Sequence, residues 1–159
     1  MITPNNQKEK KAFLDFEKEI QNNLDKYYLS RNHKILRDPD KLHDLKIDGI
    51  DVEEKIRDGI FSDAAIEIVQ DLISGDIGWF TKTECKFLHY IMCLEYKPIY
   101  LYRINWDKFK NWMIDEFLPK HKIGKYCYSS RGWGATINIL VPIKEIPNDI
   151  IEKYEINNG

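Results

Sequence analysis

Apolar positions follow two different periods in the first half of this chain. Phe13, Phe16, Ile20 and Leu24 step by three, four and four, which predicts a helix over about Gln7 to Leu24. Glu17 falls within that stripe, either as a carboxylate at its rim or as one held near a functional site. Lys34-Ile35-Leu36 reads as a short strand that Asp38-Pro39-Asp40 ends, since proline lacks a backbone donor. After the turn signal Asp48-Gly49, the period becomes two over Ile50 to Arg57. Ile50, Val52 and Ile56 share one face, which Glu54 interrupts, while Asp51, Glu53 and Lys55 share the other. A further turn at Asp58-Gly59 leads to a third strand, Ala64 to Val69, expected to pair with its predecessor as a hairpin.

Beyond Gly75 the pattern predicts a loop with an aromatic pair, Trp79-Phe80, and then a strand at Phe87 to Leu94. A helix also fits that apolar run, but its aromatic and isoleucine content favours the strand. Ile99 to Ile104 is a strand. Asn105 can cap a second helix, about Trp106 to Leu118, with Pro119 as its stop. Ala135 to Val141 is a strand ended by Pro142, and the tail from Asn148 reads as a short helix. The expected fold is α/β: a mixed central sheet of five to six strands flanked by the two helices, in a single domain over residues 1–159 whose ends (1–6 and about 153–159) are flexible.

Composition changes this picture little. No apolar run reaches the length of a membrane span, and the N-terminus has no signal-peptide core, so a cytoplasmic protein without membrane contact is expected. Lys+Arg 24 against Asp+Glu 26 is not the basic excess of a nucleic-acid coat protein, though a local basic patch can still bind. Three cysteines without a C-x-x-C and four scattered histidines argue against a disulfide framework or a zinc site. Phosphate-loop, dinucleotide and serine-hydrolase signatures are missing from the sequence.

Two stretches carry candidate chemistry. The first is Pro39-Asp40, then Glu53-x-Lys55, then Glu67 inside the apolar run Ala-Ala-Ile-Glu-Ile-Val, with Gln70 closing that strand. Two residues of strand rise put Glu53 and Lys55 about 7 Å apart on one side. A carboxylate at Glu67 needs a partner if buried. The second stretch, Lys120 to Gly134, interleaves Lys120, Lys122, Lys125 and Arg131 with Tyr126, Tyr128 and Trp133, a pattern that can track a phosphate backbone and stack on bases. A solvated hairpin loop is the plainer reading of the same residues.

The first pattern resembles the active-site signature of the PD-(D/E)XK nuclease superfamily, from about Phe13 to Gln70. The resemblance implies a restriction-endonuclease-like three-layer core. It implies Asp40 and Glu53 as ligands of Mg²⁺ (or Mn²⁺), Lys55 as the catalytic lysine, and Glu67 and Gln70 as further site residues. Asp38, Asp44, Asp48 and Asp51 stand as alternatives to Asp40. The implied activity is metal-dependent phosphodiester hydrolysis in nucleic acid, DNA ahead of RNA, in some members by homodimers. A catalytically inert nuclease-like binding module, of phage or mobile-element origin, and a small α/β interaction protein are the competing expectations.

Overall fold

The apolar stripe of the first helix extends one step further than its opening members. In the computed structural model, which describes residues 4–38, 44–71, 74–121, 126–131 and 134–156, helix α1 is Pro4–Ser30, with Tyr28 four residues after Leu24. Phe16, Ile20, Leu24 and Tyr28 are all buried, worth about 1.5–3 kcal/mol for each large apolar side chain. The helix closes on Asn32, whose φ of 64° is left-handed. His33 N–H reaches Tyr28 O at 3.1 Å and Asn32 N–H reaches Leu29 O at 3.0 Å, the pair of bonds that satisfies the last carbonyls.

Two compact units follow from the contacts: Met1–Leu14, Ser62–Thr83 and Lys110–Ile146 form one, and Asp15–Phe61, Glu84–Phe109 and Pro147–Gly159 the other. The second unit holds a mixed six-stranded sheet. Its strands are β1 (Ile35–Arg37), β2 (Asp44–Ile47), β3 (Ile50–Asp58), β6 (Phe87–Leu94), β7 (Lys97–Asn105) and β10 (Ile151–Glu155), side by side in that order. Only β3 and β6 run parallel; the other pairs are antiparallel. Asp48 and Gly49, with φ of 52° and 81°, make the tight β2–β3 turn, as Asp-Gly does between twisted strands. The run Phe87 to Leu94 is a strand, as expected, and is buried from Leu88 to Cys93. Such a continuous apolar run belongs in the middle of a sheet, covered on both faces.

That middle position corrects one expectation. The strand β4 (Asp63–Asp71) is not the hairpin partner of β3, whose two edges are filled by β2 and β6. β4 belongs to a second, antiparallel sheet in the first unit, ordered β5 (Asp76–Ile77), β4, β9 (Gly134–Pro142), β8 (Tyr126–Arg131). Ala64, Ile66, Ile139 and Val141 are buried there. The expected loop after Gly75 includes β5 and a short helix, α2 (Trp79–Lys82). Part of the basic, aromatic stretch is β8, which forms a ladder with β9.

The second helix is marked as its sequence predicts. Asn105 Oδ1 accepts from Lys108 N at 3.3 Å and caps α3 (Trp106–Trp112). The segment continues through a π turn, Met113–Phe117, into α4 (Leu118–Lys120), and it ends just after Pro119. The tail is a second correction. Ile151–Glu155, expected to be helical and then flexible, is a strand paired with β7. Among the described residues no helix is long and apolar enough to cross a membrane.

Candidate active site

The alternation of strand β3 sets three consecutive charges on opposite faces. Glu53 and Lys55 share one face, and Lys55 Nζ lies 2.7 Å from Glu53 Oε1, with both side chains mostly buried. In the β2–β3 ladder Asp44 stands directly opposite Glu53, and Lys46 opposite Asp51. Directly opposed residues of an antiparallel pair have Cα atoms about 4.5–5.5 Å apart and share a side of the sheet. The Lys46 ammonium meets Asp51 Oδ1 at 2.6 Å. Glu53 lines a cleft of about 600 Å³ together with Asp38, Lys46, Asp51 and Glu84. Its oxygen donors are of the hard type that Mg²⁺ takes. Among the described residues no group of three or more His, Cys, Asp or Glu side chains could hold a metal ion.

Glu54 faces the other way, and the fold is built around it. Its carboxylate, fully buried, accepts Arg37 Nη1 at 2.7 Å on Oε2 and Arg37 Nη2 at 3.2 Å on Oε1. The Tyr28 hydroxyl donates to Oε1 at 3.0 Å. Arg37 also donates through Nε to Asp25 Oδ1 at 2.8 Å. Burial pushes Glu54 above the usual carboxylate range, against the pull of Arg37 and Tyr28. Burial lowers Arg37, but hydrogen bonds to Glu54 and Asp25 outweigh it and hold the guanidinium firmly charged. Tyr28 is raised by its own burial and then by the adjacent Glu54 charge. The network ends at His89 on β6, whose Nδ1 is 2.9 Å from the Tyr28 oxygen.

The remaining candidates are placed as follows. Asp40, Lys122, Lys125 and Trp133 lie outside the described residues. Of the alternatives to Asp40, Asp38 and Asp51 line the cleft beside Glu53, and Asp44 is the register partner of Glu53 in the β2–β3 ladder. Asp48 is engaged elsewhere: its carboxylate accepts Lys34 N at 2.8 Å and meets His33 Nδ1 at 2.7 Å, fixing the β2–β3 turn and lowering its pKa. Glu67 and Gln70 stand on β4 in the second sheet, Glu67 paired with Asn138 in the ladder and Gln70 accepting from Lys82 Nζ at 2.7 Å. Glu17 is half-buried on α1. Lys120 ends α4, exposed, 3.9 Å from Glu116, and Arg131 is the last residue of β8.

The residues that sequence reasoning did not single out are Tyr28, Arg37 and His89. Each left a trace: Tyr28 continues the helical stripe, and His89 is the one imidazole in an apolar strand. Arg37 left the weakest signal, since its partner is on another strand. No family model, curated protein or solved structure matches this chain.

Proposed function

We propose that this chain is a metal-dependent nuclease of the PD-(D/E)XK type, hydrolysing phosphodiester bonds in nucleic acid, with DNA as the first substrate to test. The observation that carries the reading is the arrangement on one face of β3: Glu53 and Lys55 in contact, with Glu53 lining a cleft beside Asp38 and Asp51. A restriction-endonuclease-like core is the fold this reading entails; the helix before the motif and the mixed six-stranded sheet agree with it.

Glu53, with Asp38 or Asp51 alongside in the cleft, would hold Mg²⁺, and Mn²⁺ can substitute. When bound, the ion supplies charge stabilisation at the phosphate and lowers the pKa of a coordinated water. The part of Lys55 follows from its position. An ammonium beside the carboxylate can orient an attacking water by hydrogen bonding and offset the negative charge that grows on the phosphate oxygens. Arg37 and Asp38, on the same cleft, bound the space a scissile phosphate would enter.

The test is cleavage of single-stranded, duplex and branched DNA, and of RNA, with Mg²⁺ or Mn²⁺ and an EDTA control. Lys55→Ala and Glu53→Gln run in parallel. Metal-dependent cleavage lost in both variants supports the nuclease. Equal cleavage by the variants, or none by any protein together with no Mn²⁺ binding by calorimetry, leaves the nuclease-like binding module as the reading.

A further inference from the structure

The opposite face of the same sheet holds a second, separate cleft. It has a volume of about 380 Å³ and lies between the end of α1 and strands β2, β3, β6, β7 and β10, at the lower end of the range of small-molecule sites. Ladder registry explains what it contains. Glu54, His89, Arg103 and Glu152 are successive partners across β3, β6, β7 and β10, so a polar rung crosses this face, and its His89 and Arg103 line the cleft.

The Tyr28–Glu54 network fixes the chemistry of His89. Both Glu54 oxygens accept from Arg37, whose positive charge favours the ionised, accepting carboxylate. The single hydroxyl proton of Tyr28 goes to Glu54. His89 Nδ1, 2.9 Å from the Tyr28 oxygen, therefore carries the hydrogen and donates it. In the neutral ring Nε2 is then the lone-pair nitrogen. His89 is only 5% exposed and lines the cleft, so Nε2 is the acceptor it offers there.

The walls supply two further elements. Tyr27, Phe87 and Tyr154 line the cleft and give aromatic surface. Arg103 is stacked over Phe87 at 3.6 Å and Arg31 over Tyr27 at 5.4 Å, so both guanidinium groups are presented by aromatic platforms. Arg103 has a long 3.4 Å contact with Glu152, which in turn accepts from Tyr154 OH at 2.6 Å. Asp48, the carboxylate of the lining, is already engaged by His33 and Lys34.

We propose that this cleft binds a nucleoside monophosphate, with a ring N–H of the base donating to His89 Nε2, the base against the aromatic wall, and the phosphate held by Arg31 and Arg103. A buried acceptor nitrogen selects a donor, the aromatic wall selects a planar ring, and two guanidiniums in one lining select a phosphate or other small oxyanion. The site does not depend on the nuclease reading, because Glu53 and Lys55 project from the other face of β3.

Calorimetric titration of the full chain with guanosine 5′-monophosphate, guanosine and inorganic phosphate tests it. The monophosphate is expected to bind at least about tenfold more tightly than either part, the effect of one charge-assisted hydrogen bond. Arg103→Gln, at the half-exposed rim, should weaken the monophosphate by about tenfold with the unfolding midpoint unchanged, whereas Lys55→Ala should leave its binding intact. In ¹⁵N NMR, His89 should show Nδ1 protonated and Nε2 bare, with the Nε2 resonance moving on addition of the monophosphate. Failure of the monophosphate to saturate, equal binding of inorganic phosphate, unchanged affinity in Arg103→Gln, or a protonated Nε2 each overturns the proposal.

Discussion

Replacing Arg37 with methionine isolates the interaction on which the centre of the six-stranded sheet rests. Methionine keeps most of the apolar volume of the arginine stem, so packing changes little. What disappears is both hydrogen bonds to Glu54, a carboxylate with no exposed side-chain surface. The Tyr28 hydroxyl alone remains on it. Removing one partner of a buried ion pair costs about 3–5 kcal/mol, because the surviving charge keeps its desolvation penalty. Asp25 also loses its arginine, but it is 27% exposed and rehydrates, so its share is within about 1 kcal/mol. The total is a large fraction of the roughly 5–15 kcal/mol that holds a domain of this size together.

The sign of the pH dependence makes the test specific. Burial already raises Glu54 in the native protein, and Arg37 pulls in the opposite direction. Without Arg37 the folded-state pKa of Glu54 rises further above its unfolded value. A group raised in this way contributes stability that is fully present below the unfolded pKa and is lost as pH rises through the folded one. The deficit of Arg37→Met relative to wild type should therefore be largest near neutral pH and should shrink on acidification. Urea unfolding of both proteins at about pH 7.5 and about pH 5 measures this, because groups that titrate alike in both cancel in the difference. Adding Glu54→Gln to Arg37→Met should recover at least half of the loss at neutral pH. A deficit below about 1 kcal/mol, or one equal at the two pH values, would refute the reasoning, since an exposed pair behaves that way.

Burial holds the His89 imidazole down at about 3, with Arg103 and His33 acting in the same direction. Below its ordinary value of 6.5 the unfolded chain takes a proton that the folded chain refuses, so stability should fall by up to about 1.4 kcal/mol per pH unit from there toward about 3; unfolding curves of His89→Asn should show a flatter acid limb. A Cβ at Gly78 would press on the backbone carbonyl of Glu67, where Gly78 N–H already bonds Ile68 O at 2.9 Å; Gly78→Ala should cost about 1–3 kcal/mol in denaturant titration. In the β6–β7 turn Glu95 and Tyr96 adopt φ of 50° and 62°. Tyr96 makes an edge contact with Phe16 at 5.2 Å, so Glu95→Asn, which leaves that contact alone, should raise stability by about 0.5–1 kcal/mol by calorimetry.

The elements legible in the sequence are those whose periodicity and burial agree. α1 buries Phe16, Ile20 and Leu24, β6 buries Leu88 to Cys93, β7 buries Leu101, Tyr102 and Ile104, and the second helical segment buries Trp106, Phe109, Met113 and Phe117. β10 was not legible, because an edge strand with Glu152, Lys153, Tyr154 and Glu155 in water carries no apolar alternation. The β3–β4 hairpin failed for a different reason. Proximity in sequence favours pairing, but β6 needs burial on both faces and takes the place beside β3 that β4 was expected to fill. Within the candidate site, period two alone placed Glu53 and Lys55 on one face. The Arg37–Glu54 pair spans two strands and depends on their final positions, which no local pattern encodes.

The three charges at 53, 54 and 55 then separate by what each does for the fold. Glu54 is explained structurally: Arg37, Tyr28 and His89 close around it, and its removal or isolation should be felt in stability. Glu53 and Lys55 are different. Their ion pair is mostly buried, with side chains 14% and 20% accessible, and a buried pair is often no more stabilising than a well-packed apolar pair of similar volume. Apolar residues at both positions would pack on the neighbouring strands at least as favourably. A central strand that keeps a carboxylate and an ammonium where the fold gains little from them is what the proposed chemistry in the cleft would require. Stability data on the double variant Glu53→Gln/Lys55→Met bear directly on that inference, since neither charge is then left unpaired: it should unfold within about 1 kcal/mol of wild type, and a loss above about 3 kcal/mol would return the pair to a structural role.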